Sequence, residues 1–179
     1  MKIYMFLADG FEEVEALAPL DLLRRAGLDI KTVGIGKKQI TGAHGIKVEA
    51  DLSEDQLDGV ADAVILPGGM PGTLNLDASK TVEGALLATH KSGGYVCAIC
   101  AAPRVLGRLG LLDGKRFTCY PGTEELVPNG IFTAERVTVD GKIVTARGMG
   151  CAVNFGLALV GLFCGKETAD KLRTATISD

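Results

Sequence analysis

The sequence holds only two histidines, and its five cysteines are an odd number for a disulfide framework. No second Cys or His pair stands at a spacing that would close a structural zinc site, so no metal and no other cofactor is expected. Basic residues form no cluster: 19 Lys and Arg are scattered among 22 Asp and Glu, for a net charge of −3. That balance argues against a nucleic-acid partner. The longest apolar run of the C-terminal third, "FGLALVGLFC", falls well below the roughly 20 residues that span a bilayer, so no membrane association is expected. The opening "MKIYMFLADGFEEVEAL" reaches acidic residues too early for the apolar stretch and cleavage site of a signal peptide. Reduced thiols in a cytoplasm therefore fit better than disulfides. There is also no repeat, low-complexity tract or linker. With 47% hydrophobic residues, the expectation is one domain over residues 1–179 that buries about 70% of the surface its unfolded chain exposes.

Within that frame, short apolar runs alternate with helical patterns. "KIYMFL", "DIKTVGI", "ADAVILPGG" and "YVCAI" read as strands, the third nearly continuous, as befits a strand buried on both faces. "EEVEALAPLDLLRRAG", "SKTVEGALLATHKSGG", "APRVLGRLGLL", "CAVNFGLALVGLFCG" and "KETADKLRTAT" read as helices, the first closing on Arg24, Arg25 and the stop signal Gly27. "KKQITGAHGIKVEADL" and "AERVTVDGKIVTARG" read as hairpins, and "RFTCY" as a further strand. This alternation predicts a three-layer α/β sandwich, a mostly parallel sheet with helices on both faces. Functional groups in such sheets gather at the carboxyl ends of strands, here the loops 8–15, 67–72 and 100–103.

Cys97 and Cys100 are three apart, yet they are no redox pair. Cys97 lies within its strand, and three strand steps of about 3.3 Å hold their α-carbons roughly 10 Å apart, beyond disulfide reach. Cys97 is read as a small buried hydrophobe. Cys100 stands at a strand-to-helix corner between "AI" and "AA", a nucleophile-elbow pattern in which small neighbours let the chain turn sharply. The helix that starts beyond it is expected to lower the thiol pKa. Against the plain alternative of a structural cysteine, the corner, helix start and small flanks together mark Cys100 as the working thiol.

Glu12 and Glu13 read as solvated acids at a helix start. Glu15 does not, because helical spacing puts it on an apolar face with Phe11, Ala18 and Leu22. A buried carboxyl keeps its proton and can donate a hydrogen bond to a thiolate. Gly68 and Gly69 offer unobstructed backbone amides that could form an oxyanion hole facing Cys100, although the same glycines suit an ordinary turn. His90 reads as solvated, His44 as a hairpin-tip residue, and neither is placed beside Cys100 by sequence.

Together, "ADGFEEVEALAPLDLLRRAG", "VILPGG", "AICAAP" and "TARGMG" resemble, in order and over essentially the whole chain, the ThiJ/PfpI superfamily, in the branch of the parkinsonism-associated protein deglycase (DJ-one). The resemblance implies a flavodoxin-like sandwich and a homodimer. It implies Cys100 as the reactive cysteine, Glu15 as its acid partner, and Gly68, Gly69 and Ala101 as amide donors. Arg25 matches a basic residue lining a dimer-proximal pocket. Ala101 stands where the protease-like branch has a histidine, which speaks against a protease. Tyr120 replaces a histidine of the deglycase branch, and His44 replaces an arginine near the pocket and is expected to help bind an anionic group. Three functions follow: an enzyme acting on methylglyoxal or a glycated side chain, a non-enzymatic redox sensor or stress chaperone working through oxidation of Cys100, or a silent relative.

Overall fold

A computed structural model describes residues 1–178. The chain opens with β1 (Ile3–Leu7), α1 (Glu13–Arg25) and β2 (Ile30–Gly34), followed by a hairpin of β3 (Gln39–Thr41) and β4 (Lys47–Glu49), then β5 (Leu52–Ser53) and β6 (Ala63–Leu66). Next come α2 (Gly72–Ala78), α3 (Lys80–Lys91), β7 (Tyr95–Ile99) and α4 (Pro103–Arg108). The remainder comprises β8 (Arg116–Phe117), β9 (Ile131–Phe132), β10 (Val137–Asp140), β11 (Ile143–Ala146), α5 (Ala152–Cys164) and α6 (Lys166–Ala175). The elements expected from sequence are present, and α2 and the two-residue strands β5 and β9 are added. "RFTCY" contributes only Arg116 and Phe117 as strand, paired with β9 outside the main sheet.

Seven strands form that sheet in the order β10-β11-β7-β6-β1-β2-β5, parallel throughout except for the β10–β11 hairpin. Side chains alternate faces with period two. Ile3, Met5, Ile65, Cys97 and Val144 pack with α1, α5 and α6 on one side. Tyr4, Phe6, Val64, Val96 and Ala98 pack with α2, α3 and α4 on the other. This is the flavodoxin-like three-layer α/β sandwich, and Cys97 is one of its fully buried residues.

From β1 the chain crosses to β2 on one side, and from β6 it crosses to β7 on the other, so strand order reverses between β1 and β6. Loops leaving the carboxyl ends of neighbouring strands diverge at such a switch point and leave a crevice. The loops that follow β1, β6 and β7 meet there.

The first helix owes its start to Glu12, whose Oε2 accepts the N–H of Val14 at 2.7 Å and of Glu15 at 3.2 Å. Pro19 lies within α1, and the helix continues through it. Close packing of α1 on α5 depends on Gly156, where a Cβ would lie 2.7 Å from Leu22 Cδ1 and 3.0 Å from the Pro19 Cα. Gly156→Leu should therefore destabilise the fold by about 2 kcal/mol, because overpacking outweighs the ~1 kcal/mol of helix propensity gained by replacing glycine. Urea unfolding checks this, and an unchanged midpoint would show that the two helices can slide apart freely.

Candidate active site

Glu15 sits in the first turn of α1 with only 1% of its surface exposed. Its Oε2 accepts the Gly68 N–H at 2.9 Å. Its Oε1 is equally buried and has no hydrogen-bond partner at normal distance and angle, although the Cys100 thiol lies close enough to act on the carboxyl. Gly68 is where the two groups converge. A Cβ there would lie 2.6 Å from Glu15 Oε2 and 2.7 Å from Cys100 Cβ, so no larger residue leaves room for both.

Cys100 follows β7 with φ = 65°, a left-handed conformation that costs a non-glycine residue on the order of 1 kcal/mol. The conformation is held from both sides. Its N–H donates to the Ala146 carbonyl at 2.9 Å, and its own carbonyl accepts the Tyr120 N–H at 2.8 Å. These bonds tie the corner to the end of β11 and to the loop after β8. The N–H groups of Gly69 and Ala101 lie near enough to the sulfur to favour its charged form. Gly69 itself has φ = 90°, a value at which a side chain would be strained.

Burial pushes the Glu15 carboxyl up to about 7, against the pull of the Cys100 thiol and the Gly68 N–H. The nearby charge of Glu12 adds to the rise. The expected lowering of the Cys100 thiol is corrected by the structure. Burial raises it, and an ionised Glu15 beside it raises it further, while the Ala101 and Gly69 N–H groups oppose the rise. The helix beyond the corner spans only six residues and begins three residues after the sulfur, so its dipole is too short and too distant to dominate. A thiolate at Cys100 thus belongs with a protonated Glu15, since only then does repulsion vanish and the carboxyl become a donor.

Other sequence-derived candidates fall differently. Gly68 is not a free oxyanion donor, because its N–H is occupied by Glu15; the amides bracketing the sulfur are those of Gly69 and Ala101. Arg25 ends α1, ten residues and about 15 Å of helix from Glu15, paired with Asp21 at 2.6 Å, and so lies outside the crevice of its own chain. Tyr120 joins the site through its backbone, and its ring stands 56% exposed beside Gly148. His44 faces carboxylates rather than an open anion site, because its Nδ1 lies 2.9 Å from Glu13 Oε2.

Glu13 itself was missed as a structural residue. It is 3% exposed, and its Oε1 accepts the N–H groups of His44 at 2.8 Å and Ile46 at 3.4 Å. Burial alone would raise its carboxyl, but the bonds from His44 and Ile46 hold it below the ordinary value. The same contact raises the His44 imidazole. The tip of the β3–β4 hairpin is thereby clasped to the start of α1. The only sequence signal was Gly42, where the tip passes close to that carboxyl. Glu12, Glu13 and His44 bring ligand atoms within 4.8 Å of one another, but Glu12 caps α1 and Glu13 is taken up by the clasp. Among the described residues, no helix is long and apolar enough to cross a membrane.

A doubly wound α/β sandwich with a thiol on a strained strand-to-helix corner, backed by a buried acid, defines a class of cysteine-elbow proteins. The sequence profile of the DJ-1/PfpI family matches residues 1–162, and the chain belongs to that family. It is 40% identical over 172 residues to Protein DJ-1 homolog B of Arabidopsis thaliana, which covers 94% of this chain. The match takes in 39% of that relative, so the chain spans well under half the length of the plant protein. The glutathione-independent glyoxalase DJR-1.2 of Caenorhabditis elegans is 33% identical over 165 residues, covering 90% of this chain and 87% of the relative. The crystal structure of Drosophila melanogaster DJ-1beta superposes with a TM-score of 0.95 at 31% identity, covering 99% of this chain and 98% of that one.

The raised Glu15 carboxyl carries a pH signature. An acid whose folded value lies above its unfolded value of about 4.5 binds its proton more tightly when folded. Stability should then decline as pH rises from about 4.5 to 7, by up to about 3 kcal/mol for this group. Glu15→Gln should remove that part of the slope in urea unfolding at pH 4.5, 6 and 8. Equal slopes for the two proteins would mean that Glu15 is hydrated in the folded state.

Proposed function

We propose that this protein is a cysteine-dependent, cofactor-free enzyme of the glyoxalase or deglycase type, acting on methylglyoxal or on the adducts it forms with side chains. One observation carries the reading: a fully buried carboxyl and a thiol on a left-handed corner close on one point at Gly68, and burial lifts that carboxyl toward neutrality. Enzymes place general acids and bases near the working pH by this kind of burial. The similarity to a glutathione-independent glyoxalase supports the same class.

The chemistry follows from the site. Glu15 in its carboxylate form takes the Cys100 proton, and the sulfur adds to the aldehyde carbon of methylglyoxal. The aldehyde oxygen, negatively charged as the carbonyl bond opens, turns toward the Gly69 and Ala101 N–H groups. It then takes the proton from Glu15, leaving a hemithioacetal. Glu15 next removes the proton from the former aldehyde carbon, the hydroxyl proton passes to the neighbouring ketone oxygen through an enediol, and Glu15 returns its proton to the adjacent carbon, converting the adduct to a lactoyl thioester. Water releases lactate and restores the thiol. The net reaction adds one water to methylglyoxal with no external oxidant or reductant. On a glycated side chain, the same attack would release the repaired amine.

Steady-state lactate formation should vanish in Cys100→Ala, and Glu15→Gln should lose at least 100-fold because proton transfer fails. The same Glu15→Gln protein keeps a donor beside the sulfur, so its Cys100 should still react with peroxide, whereas Glu15→Leu should slow both reactions. Peroxide-reactive Cys100 in a wild-type protein that forms no lactate would replace the enzyme reading with that of a redox sensor.

We also propose a homodimer. Val14 on α1, Ile46 on the hairpin and Val153 on α5 stand exposed, more apolar surface than a solvated face requires. The pocket role that the family resemblance assigns to Arg25 would then be played toward a second copy. Sedimentation at micromolar concentration should show a dimer, and monomer alone would overturn this.

A further inference from the structure

Away from the Cys100 crevice, a groove of about 600 Å³ runs between the edge strand β10 and helices α5 and α6. Its floor is apolar, formed by Val137, Leu157, Gly161, Leu162 and Ala169. Gly161 puts no side chain into the floor, and a Cβ there would touch only Ala169 Cβ, at 3.6 Å. The lining carries three cations, Arg136, Lys166 and Arg173, against a single carboxylate, Asp170, and that carboxylate is paired with Lys166. In a chain of net charge −3, such a local excess of positive charge is notable.

Chain direction polarises the groove. Helix α5 follows β11 and returns along the sheet antiparallel to it, hence parallel to β10, and α6 reverses again. Arg136 ahead of β10, Asn154 in the first turn of α5 and Arg173 near the end of α6 therefore share one end. Gly161, Leu162 and Lys166 lie toward the other, about 12 Å of helix away, while Asp170, paired with Lys166, stands between them, one helical turn from Arg173. At the first end, Arg136 makes no ion pair among the described residues. The half-buried Arg173 spends one nitrogen on the Ser178 carbonyl, at 3.1 Å. A guanidinium fork of this kind matches a planar carboxylate. The volume lies within the range of small-molecule sites, which are concave, mostly apolar and fixed in orientation by a few polar groups.

We propose that this groove binds a carboxylate with an unbranched apolar body, of the medium-chain fatty acid class, head group on Arg136 and Arg173 and chain along the floor beside Gly161. Binding is independent of the chemistry at Cys100.

Decanoate, kept below its micelle-forming concentration, is the probe. In ¹H–¹⁵N spectra it should shift resonances of residues 136–139, 154–162 and 166–173 in a saturable way. Decanol, which lacks the head group, should bind at least tenfold more weakly. Arg173→Ala and Arg136→Ala should each weaken decanoate at least fivefold, and Gly161→Leu, which fills the floor, should weaken it at least tenfold with an unchanged circular dichroism spectrum. Lactate formation, where measured, should be the same in all three variants. Shifts confined to the Cys100 crevice, equal binding of decanol, or undiminished binding to Gly161→Leu would overturn the proposal. So would a fall in oligomeric state of Gly161→Leu in the absence of decanoate, which would assign the groove to a second copy of the chain. Tighter binding of an acidic peptide than of decanoate would assign it to a protein partner and overturn it equally.

Discussion

The site depends on a carboxyl that the fold has removed from water. Glu15 is buried to 1% exposure with one backbone N–H, that of Gly68, and a neighbouring thiol for company. One conventional hydrogen bond is too little to hold a carboxylate in its charged form at such a position. The shortfall is what lifts the acid toward neutrality, and a better-solvated Glu15 would be a permanently ionised bystander. Other features serve this arrangement: Gly68 gives up its side chain so that acid and thiol can close on one point, and Glu12 caps the turn from which Glu15 projects.

The sheet supplies the rigidity that so close a contact needs. Glu15 comes from the helix after β1, Gly68 from the loop after β6 and Cys100 from the corner after β7, and these strands are linked through the β1–β6 and β6–β7 pairs. Their relative heights are therefore set by backbone register rather than by flexible side chains. The left-handed backbone at Cys100 is tolerated because bonds to Ala146 and from Tyr120 fix both of its sides. Strain of this kind persists only where the surroundings over-determine it.

Much of this was legible in sequence because it rests on local rules. Alternating strand and helix patterns placed the layers, small residues around Cys100 marked a corner, and helical spacing put Glu15 on an apolar stripe. What escaped were properties of long-range approach. Glu13 looked like a solvated helix-start acid because the hairpin that buries it lies some thirty residues away in the chain. The Gly68 amide looked free because its partner, Glu15, arrives from a helix 53 residues earlier. The thiol was expected to be acidified by a helix that proved only six residues long, and local pattern could not weigh that dipole against burial. Arg25 was assigned to a pocket by motif alone, and a single chain does not bring it there.

Glu13 and Glu15 stand two residues apart on one helical turn, yet their carboxyls are displaced in opposite directions. The difference lies in the company each keeps: two backbone N–H groups and an imidazole for one, a single N–H and a thiol for the other. Across the range in which Glu15 gains or loses its proton, Glu13 stays charged and the hairpin stays clasped. Backbone N–H groups, which carry no titratable proton, thus hold the hairpin tip to the start of α1 while the acid two residues along gains or loses its own.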